Sequence, residues 1–189
     1  EQVDKYKYLG VLIQREGNME EEVNERLSNA AKLYHTLSKT FLTKREITNT
    51  TKMAVYKTVY RPILTFGGET WNLTNSSKSK IQAMEMKFLR RILGITRRDR
   101  VRNEIVRAEL GVEPIIQRVE NQQLRWFGHL NRMHDNLPVK QVWESRPQSK
   151  RGRGRPKKTW NDQLTAILKS RGTTWVEAKR HSKNKEQWK

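Results

Sequence analysis

No cysteine occurs in this 189-residue chain, so disulfides and thiolate-held zinc are both excluded. Long apolar runs are missing as well. None approaches the ~20 residues that span a bilayer, and nothing resembling the apolar region of a signal peptide opens the sequence. Acidic residues are few beside basic ones, 20 against 39, for a net charge of +19 and a pI near 10.4. Hydrophobic residues make up 34% and mean hydropathy is −0.93, thin for one compact core but workable for amphipathic helices.

The charge is unevenly spread. Residues 1–73 carry eleven Lys/Arg against nine Asp/Glu, residues 74–144 fourteen against eight, and residues 145–189 fourteen against three, so net charge climbs from +2 to +6 to +11. Such a gradient fits a body with a polyanion-gripping tail. Its densest point is Lys150-Arg151-Gly152-Arg153-Gly154-Arg155-Pro156-Lys157-Lys158, six cations in nine residues with neither an acid nor a core residue among them. Such a segment cannot offset its ordering entropy alone and waits for a polyanion. Two arginines flanking a glycine, with proline stiffening the exit, resemble an AT-hook, a peptide that enters narrow A·T minor grooves. The alternative reading is a solvated linker or a nuclear-import patch.

The start is strand-like. Tyr6-Lys7-Tyr8-Leu9-Gly10-Val11-Leu12-Ile13 mixes aromatic and β-branched residues, and Glu16-Gly17-Asn18 follows with turn chemistry. An isolated hairpin is marginal in water, so these residues are expected to belong to a larger sheet upstream, and the chain to be a fragment that begins without methionine. The rest reads as helix. Val23, Leu27, Ala30, Tyr34, Leu37 and Phe41 form one stripe at spacings of four and three. Thr43-Lys44-Arg45-Glu46 predicts a capped start for a second helix carrying Met53, Tyr56, Val59 and Tyr60, which Pro62 should end or kink. A third helix is predicted from about Ser77 to Leu93, with Ile81, Met84, Phe88 and Ile92 on one face and Gly94 as its C-cap. Val101, Ile105, Val106 and Leu110 mark a short helix stopped by Gly111. Pro114 then opens another with Ile116, Val119, Gln123, Phe127 and Leu130. Pro138 and Pro147 bracket a short element around Val142-Trp143. Thr159-x-x-Asp162 and Thr174-x-x-Glu177 open two final helices, each with a tryptophan after the cap.

Several blocks resemble non-LTR (LINE-type) retrotransposon reverse transcriptases. They are Tyr6-Lys7-Tyr8-Leu9-Gly10, then Arg61-Pro62-Ile63-Leu64-Thr65-Phe66-Gly67-Gly68-Glu69-Thr70-Trp71, and Phe88-Leu89-Arg90-Arg91-Ile92-Leu93-Gly94-Ile95. Leu124-Arg125-Trp126-Phe127-Gly128-His129-Leu130-Asn131-Arg132-Met133, Gly154-Arg155-Pro156-Lys157-Lys158-Thr159-Trp160 and the Trp175 helix continue the series. Order and spacing fit the part downstream of the catalytic palm in enzymes of the RTE, Jockey or I type. The resemblance implies a primer-grip-like hairpin at 1–18, a helical thumb-like region at 19–95 lying along the template–primer duplex, and a helical extension at 96–144. It further implies a basic linker at 145–158 and a C-terminal helical pair at 159–189. Many such enzymes add a cysteine–histidine knuckle near the C-terminus, and a chain without cysteine lacks it.

Reverse transcription requires paired carboxylates holding two divalent ions. In the family these lie in a Tyr-x-Asp-Asp-type turn upstream of the primer grip, and no such turn occurs here. Glu20, Glu21 and Glu22 fan around a helix start, where acids suit the dipole. His129 and His134, five apart, fall on different helix faces and carry no metal motif. Neither a Ser–His–Asp set nor a phosphate-binding glycine loop can be read. No catalysis, no cofactor and no small-molecule substrate is therefore expected of this fragment; Mg²⁺ belongs to the full-length polymerase.

Binding is better supported. Arg90, Arg91, Arg97, Arg98, Arg100 and Arg102 exceed what one helix C-terminus needs, so phosphate contact is expected of them. Lys150, Arg151, Arg153, Arg155, Lys157 and Lys158 form the second cluster, and the resemblance adds Tyr6, Lys7 and Tyr8. Trp71, Trp126 and Trp143 are candidates for base stacking, although their apolar neighbours favour the core. The sequence thus predicts a mainly α chain, a thumb-type helical bundle after a short β-hairpin. Its expected partners are template RNA and RNA–DNA or DNA duplex, with no membrane. Its expected setting is the nucleus, with a cytoplasmic ribonucleoprotein stage if the element is active. The rival readings are a domesticated stand-alone AT-hook-like DNA-binding protein and an RNA-binding interaction module.

Overall fold

Leu9 and Gly10 both adopt positive φ, 47° and 85°, and this pair reverses the chain between strands β1 (Lys5–Tyr8) and β2 (Val11–Gln14). The strands pair antiparallel with Tyr8 opposite Val11 and Lys5 opposite Gln14. Two consecutive positive-φ residues match the right-handed twist of a tight hairpin, at a steric cost that falls on Leu9. The computed structural model describes residues 3–14, 19–145, 154 and 158–188. It is mainly helical after this hairpin, as the sequence predicts. The chain divides into two units: Glu1–Gly68 with Leu73–Val119, and Glu69–Asn72 with Glu120–Lys189.

In the N-terminal unit, α1 (Glu20–Leu37) buries Val23, Ala30 and Tyr34 and passes into a π-helical turn, Ser38–Leu42. The predicted stripe ends on Phe41, but Leu42 is the residue fully buried, because the wider π turn shifts the inward position by one residue. Helix α2 (Asn49–Val55) starts later than Thr43 predicts. Its N-cap is Thr48, whose hydroxyl accepts the Thr51 N–H at 3.2 Å, whereas the Thr43 hydroxyl donates back to the Lys39 carbonyl at 3.1 Å. A Thr-x-x-Glu pattern is only a cap where the preceding residues leave the helix, and at Thr43 they have not yet done so.

Pro62 does not end the next helix. A second π turn, Tyr56–Tyr60, runs straight into α3 (Arg61–Thr65) with Tyr60 still helical at φ −66° and ψ −51°, so Pro62 lies inside one continuous helical stretch beside a widened turn. Val59 faces outward, and the buried residues of this stretch are Tyr56, Tyr60, Leu64 and Thr65. Helix α4 (Asn75–Leu93) is capped by Thr74, which accepts the Ser77 N–H at 3.1 Å, and ends at Gly94 with φ of 71°. Its buried face is Ile81, Glu85, Phe88 and Ile92; Met84, assigned to that face from the sequence, is half-buried on another side. Tyr60 stacks on Phe88 with ring centroids 4.1 Å apart, and Tyr34 meets the same ring edge-on at 6.3 Å. Helix α5 (Asn103–Leu110) stops at Gly111, φ 61°, burying Val106 but leaving Ile105 exposed. Helix α6 (Ile115–Arg132) gives this unit Ile115, Ile116 and Val119.

The C-terminal unit takes the rest of α6, with α7 (Pro138–Glu144), α8 (Trp160–Ser170) and α9 (Trp175–Ser182). Both predicted capping boxes form. Thr159 and Thr174 each accept the N–H three residues on, and the Asp162 and Glu177 carboxylates accept the cap N–H groups at 2.8 and 2.9 Å. Leu124, Phe127, Leu164, Ile167, Leu168 and Ala178 form the core. Trp143, Trp175 and Trp188 surround Phe127 at 6.0, 5.0 and 5.7 Å. Gly128 is required here by space, not by φ: the Trp188 indole occupies the position a Cβ would take, and its Nε1 donates to the Leu124 carbonyl at 2.8 Å. Trp71, a stacking candidate from the sequence, is completely buried in this unit, its carbonyl accepting from Gln123 at 2.8 Å.

Candidate nucleic-acid interface

Helix α4 presents two faces to two tasks. One face carries the buried carboxylate of Glu85, which accepts from Arg107 Nη2 at 2.7 Å, from Arg107 Nε at 3.2 Å and from the Tyr56 hydroxyl at 3.1 Å. Burial pushes the Glu85 carboxyl above its ordinary range, against the downward pull of Arg107, Tyr56 and the Ile115 N–H. Burial likewise raises the Tyr56 and Tyr60 hydroxyls, so both stay protonated as donors. This network fixes α4 against α5 and the start of α6 within one unit, and thereby sets where its other face points.

That other face carries Lys80, Met84, Lys87 and Arg91 at spacings of four, three and four. With Leu27 and Tyr34 of α1 it lines an open groove of about 1010 Å³, which Arg90 and Arg97 also border. No acid lines the groove among the described residues. Lys87 Nζ lies 4.5 Å from the Tyr34 ring centroid, and Lys80 reaches Glu20 only at 3.5 Å, with both side chains about half exposed. The groove lysines were not among the sequence candidates, although their helical spacing was there to be read.

Beyond Gly94 the chain makes a 3₁₀ turn, Arg97–Asp99, with a capping box: the Asp99 carboxylate accepts the Thr96 N–H at 2.6 Å and the Thr96 hydroxyl at 2.9 Å. Those two hydrogen bonds hold the Asp99 carboxyl below the usual carboxylate range. The one acid between residues 94 and 103 is therefore held by the turn itself and forms no ion pair with a guanidinium among the described residues. Arg97, Arg98, Arg100 and Arg102 are all exposed, and none forms an ion pair among the described residues. Arg90 has a different role, donating to the Val101 carbonyl at 2.9 Å and to Asn103 Oδ1 at 2.7 Å, so it ties this loop to the end of α4.

Arg100 holds φ at 53°, a left-handed conformation that disfavours a side chain by about 1–2 kcal/mol. Arg100→Gly should therefore leave the melting of the chain nearly unchanged while weakening nucleic-acid binding. A variant that binds as well as the native chain would show that the guanidinium is not a contact.

The remaining sequence candidates divide. Tyr6 and Tyr8 project from one face of β1, exposed and stacked at 6.4 Å. Lys7, between them, is paired with Glu25 at 2.5 Å, and that hydrogen bond lowers the Glu25 carboxyl. The hairpin is anchored by a pair that the sequence reading passed over: buried Glu22 accepts the Leu12 N–H at 2.7 Å and Arg26 Nε at 2.7 Å, while Arg26 Nη2 also donates to the Gly10 carbonyl. The Glu–x–x–x–Arg spacing was its only local signal. Lys150, Arg151, Arg153, Arg155 and Lys157 lie outside the described residues. Lys158 is described, and its carbonyl accepts from Asn72 within the C-terminal unit. Trp126 is half-buried against His129 at 5.4 Å, and half-buried Trp143 has Lys140 and Lys179 over its ring at 5.2 and 5.7 Å.

Comparison with known proteins points to the transposon-derived class. The chain is 27% identical over 176 residues to a putative transposon-derived protein of Caenorhabditis elegans, covering 89% of this chain and 62% of that one. It is 29% identical over 156 residues to a probable RNA-directed DNA polymerase from transposon X-element of Drosophila melanogaster, covering 80% of this chain and 16% of that one. The chain thus spans less than two thirds of the length of either relative, and both similarities support a retrotransposon origin. No protein-family model and no solved structure matches it.

Proposed function

We propose that the chain is the thumb and C-terminal nucleic-acid-binding part of a non-LTR retrotransposon reverse transcriptase, holding template–primer duplex and target DNA in the nucleus. The observation that carries this reading is the arginine turn after α4. Four exposed guanidinium groups stand around a carboxylate already engaged by Thr96, which is a surplus of positive charge with no internal use. Phosphate oxygens are the complementary ligand, since a guanidinium fork matches them with two parallel hydrogen bonds. Similarity to a probable RNA-directed DNA polymerase supports a retrotransposon setting for this reading. The basic run at Lys150–Lys158 adds a second grip that favours A·T-rich minor grooves.

Catalysis is assigned to residues upstream, where a polymerase holds its metal-binding aspartates. The purified chain, given primed template, dNTPs and Mg²⁺, should bind the substrate and extend nothing. Incorporation above background by a homogeneous preparation would place catalytic groups in this chain. The transcript upstream of Glu1 separates the polymerase from a domesticated DNA-binding protein: an open frame carrying paired aspartates supports the former, an early start codon the latter.

A further inference from the structure

We propose that the groove between α1 and α4 receives a single strand, whose bases lie on an apolar floor while its phosphates meet the cationic edge. The inference rests on the nucleic-acid-binding role argued above and names the form of nucleic acid at one part of that surface. A grip for duplex phosphates needs only charge, and the arginine turn supplies it. The groove has something more. Leu27, Met84 and Ile95 line it half-buried, with the Tyr34 ring beneath Lys87.

A duplex cannot use such a floor, because its bases are stacked inside and it offers a phosphate and sugar surface. A single strand has exposed base faces, and their removal from water against apolar and aromatic side chains is favourable and tolerant of sequence. The groove's volume, about 1010 Å³, stands at the upper end of small-ligand pockets, and it is open to solvent. Lys80, Lys87, Arg91 and Arg97 border it with no acid among the lining residues, so a polyanion is the complementary occupant and an acid-free apolar peptide is not.

Met84→Gln tests the floor without disturbing the fold's bonds. Glutamine is a good helix former, and the hydrogen bond that Tyr60 gives Met84 goes to the main-chain carbonyl at 3.1 Å, which the substitution keeps. The full 189-residue chain is titrated with fluorescent oligo(dT) and with a duplex of equal length, over a range of salt. Met84→Gln is expected to weaken oligo(dT) binding by about tenfold, in keeping with the loss of one apolar contact beneath a base, and to leave duplex binding unchanged. Arg91→Ala should weaken oligo(dT) and lower its salt slope by about 0.7, the value for one contact on a single strand. Met84→Leu, which keeps the floor apolar, should bind like the native chain and so separates loss of the floor from misfolding. Equal losses on both substrates, or no loss on oligo(dT), would overturn the single-strand assignment and leave the duplex grip standing; no binding of either nucleic acid by the native chain would overturn both.

Discussion

Arg107→Ala is expected to destabilise the N-terminal unit by about 3–5 kcal/mol, as for other buried ion pairs broken from one side. The cost comes from what is left behind. Glu85 is fully buried, and without the guanidinium at 2.7 Å its carboxylate keeps only the Tyr56 hydroxyl and a main-chain N–H. The effect should depend on pH in a set direction. Burial already raises the Glu85 carboxyl in the folded chain, so its contribution favours folding below the ordinary carboxylate range and is lost as pH rises through the folded value. Removing Arg107 takes away the leading downward pull and raises that value further. The variant's deficit should be full at neutral pH and shrink in acid, where Glu85 takes a proton. Urea unfolding of the native chain, Arg107→Ala and Arg107→Ala/Glu85→Gln at both pH values measures it, and the double variant should recover part of the loss. A deficit below about 1 kcal/mol at neutral pH would mean that water screens the pair like one on the surface.

That ion pair also explains what the sequence concealed. The caps at Gly94, Gly111, Thr159 and Thr174 were legible because each is a local rule satisfied within a few residues. The hairpin and the mainly helical remainder followed from strand-like composition and helical periodicity, although the strands turn at Leu9–Gly10, inside the segment that the composition marks as one strand. The inward stripe of α4 was misread by one position: apolar patterning selects Ile81, Met84, Phe88 and Ile92, whereas the buried residue is Glu85. A charged residue is assigned outward unless its partner is known, and the partner here lies 22 residues away on another helix. The one error hid two features. It removed Glu85 from the core, and it removed Met84 from the groove with Lys80, Lys87 and Arg91. The π turns at Ser38–Leu42 and Tyr56–Tyr60 were beyond reach for a similar reason, since packing rather than propensity sets them. By contrast, the arginines from Arg97 to Arg102 stood out in the sequence as a charge excess. Only the geometry of Thr96 and Asp99 shows that the one nearby carboxylate is held by the turn and not by a guanidinium.

The second large effect is expected from that excess. Arg97→Ala/Arg98→Ala/Arg100→Ala should weaken binding by about ten- to a hundredfold at moderate salt, if each exposed phosphate contact contributes about 0.5–1 kcal/mol. The loss should be the same for A·T-rich and G·C-rich duplexes, because phosphates carry no base identity. Arg153→Ala/Arg155→Ala should differ, lowering the salt slope by about two and removing any preference for A·T-rich duplex. The two sets lie in different segments of the chain, so their effects should add.

The salt dependence of duplex binding by the native chain and the Arg97/Arg98/Arg100 variant tests the phosphate grip most directly. Each phosphate contact displaces condensed counterions, so log K falls with log salt by about 0.9 per contact on duplex DNA. A steep slope for the native chain, lower by roughly 2.7 in the triple variant and equal on both duplexes, is the predicted result. An unchanged slope and affinity in a variant that melts like the native chain would contradict it.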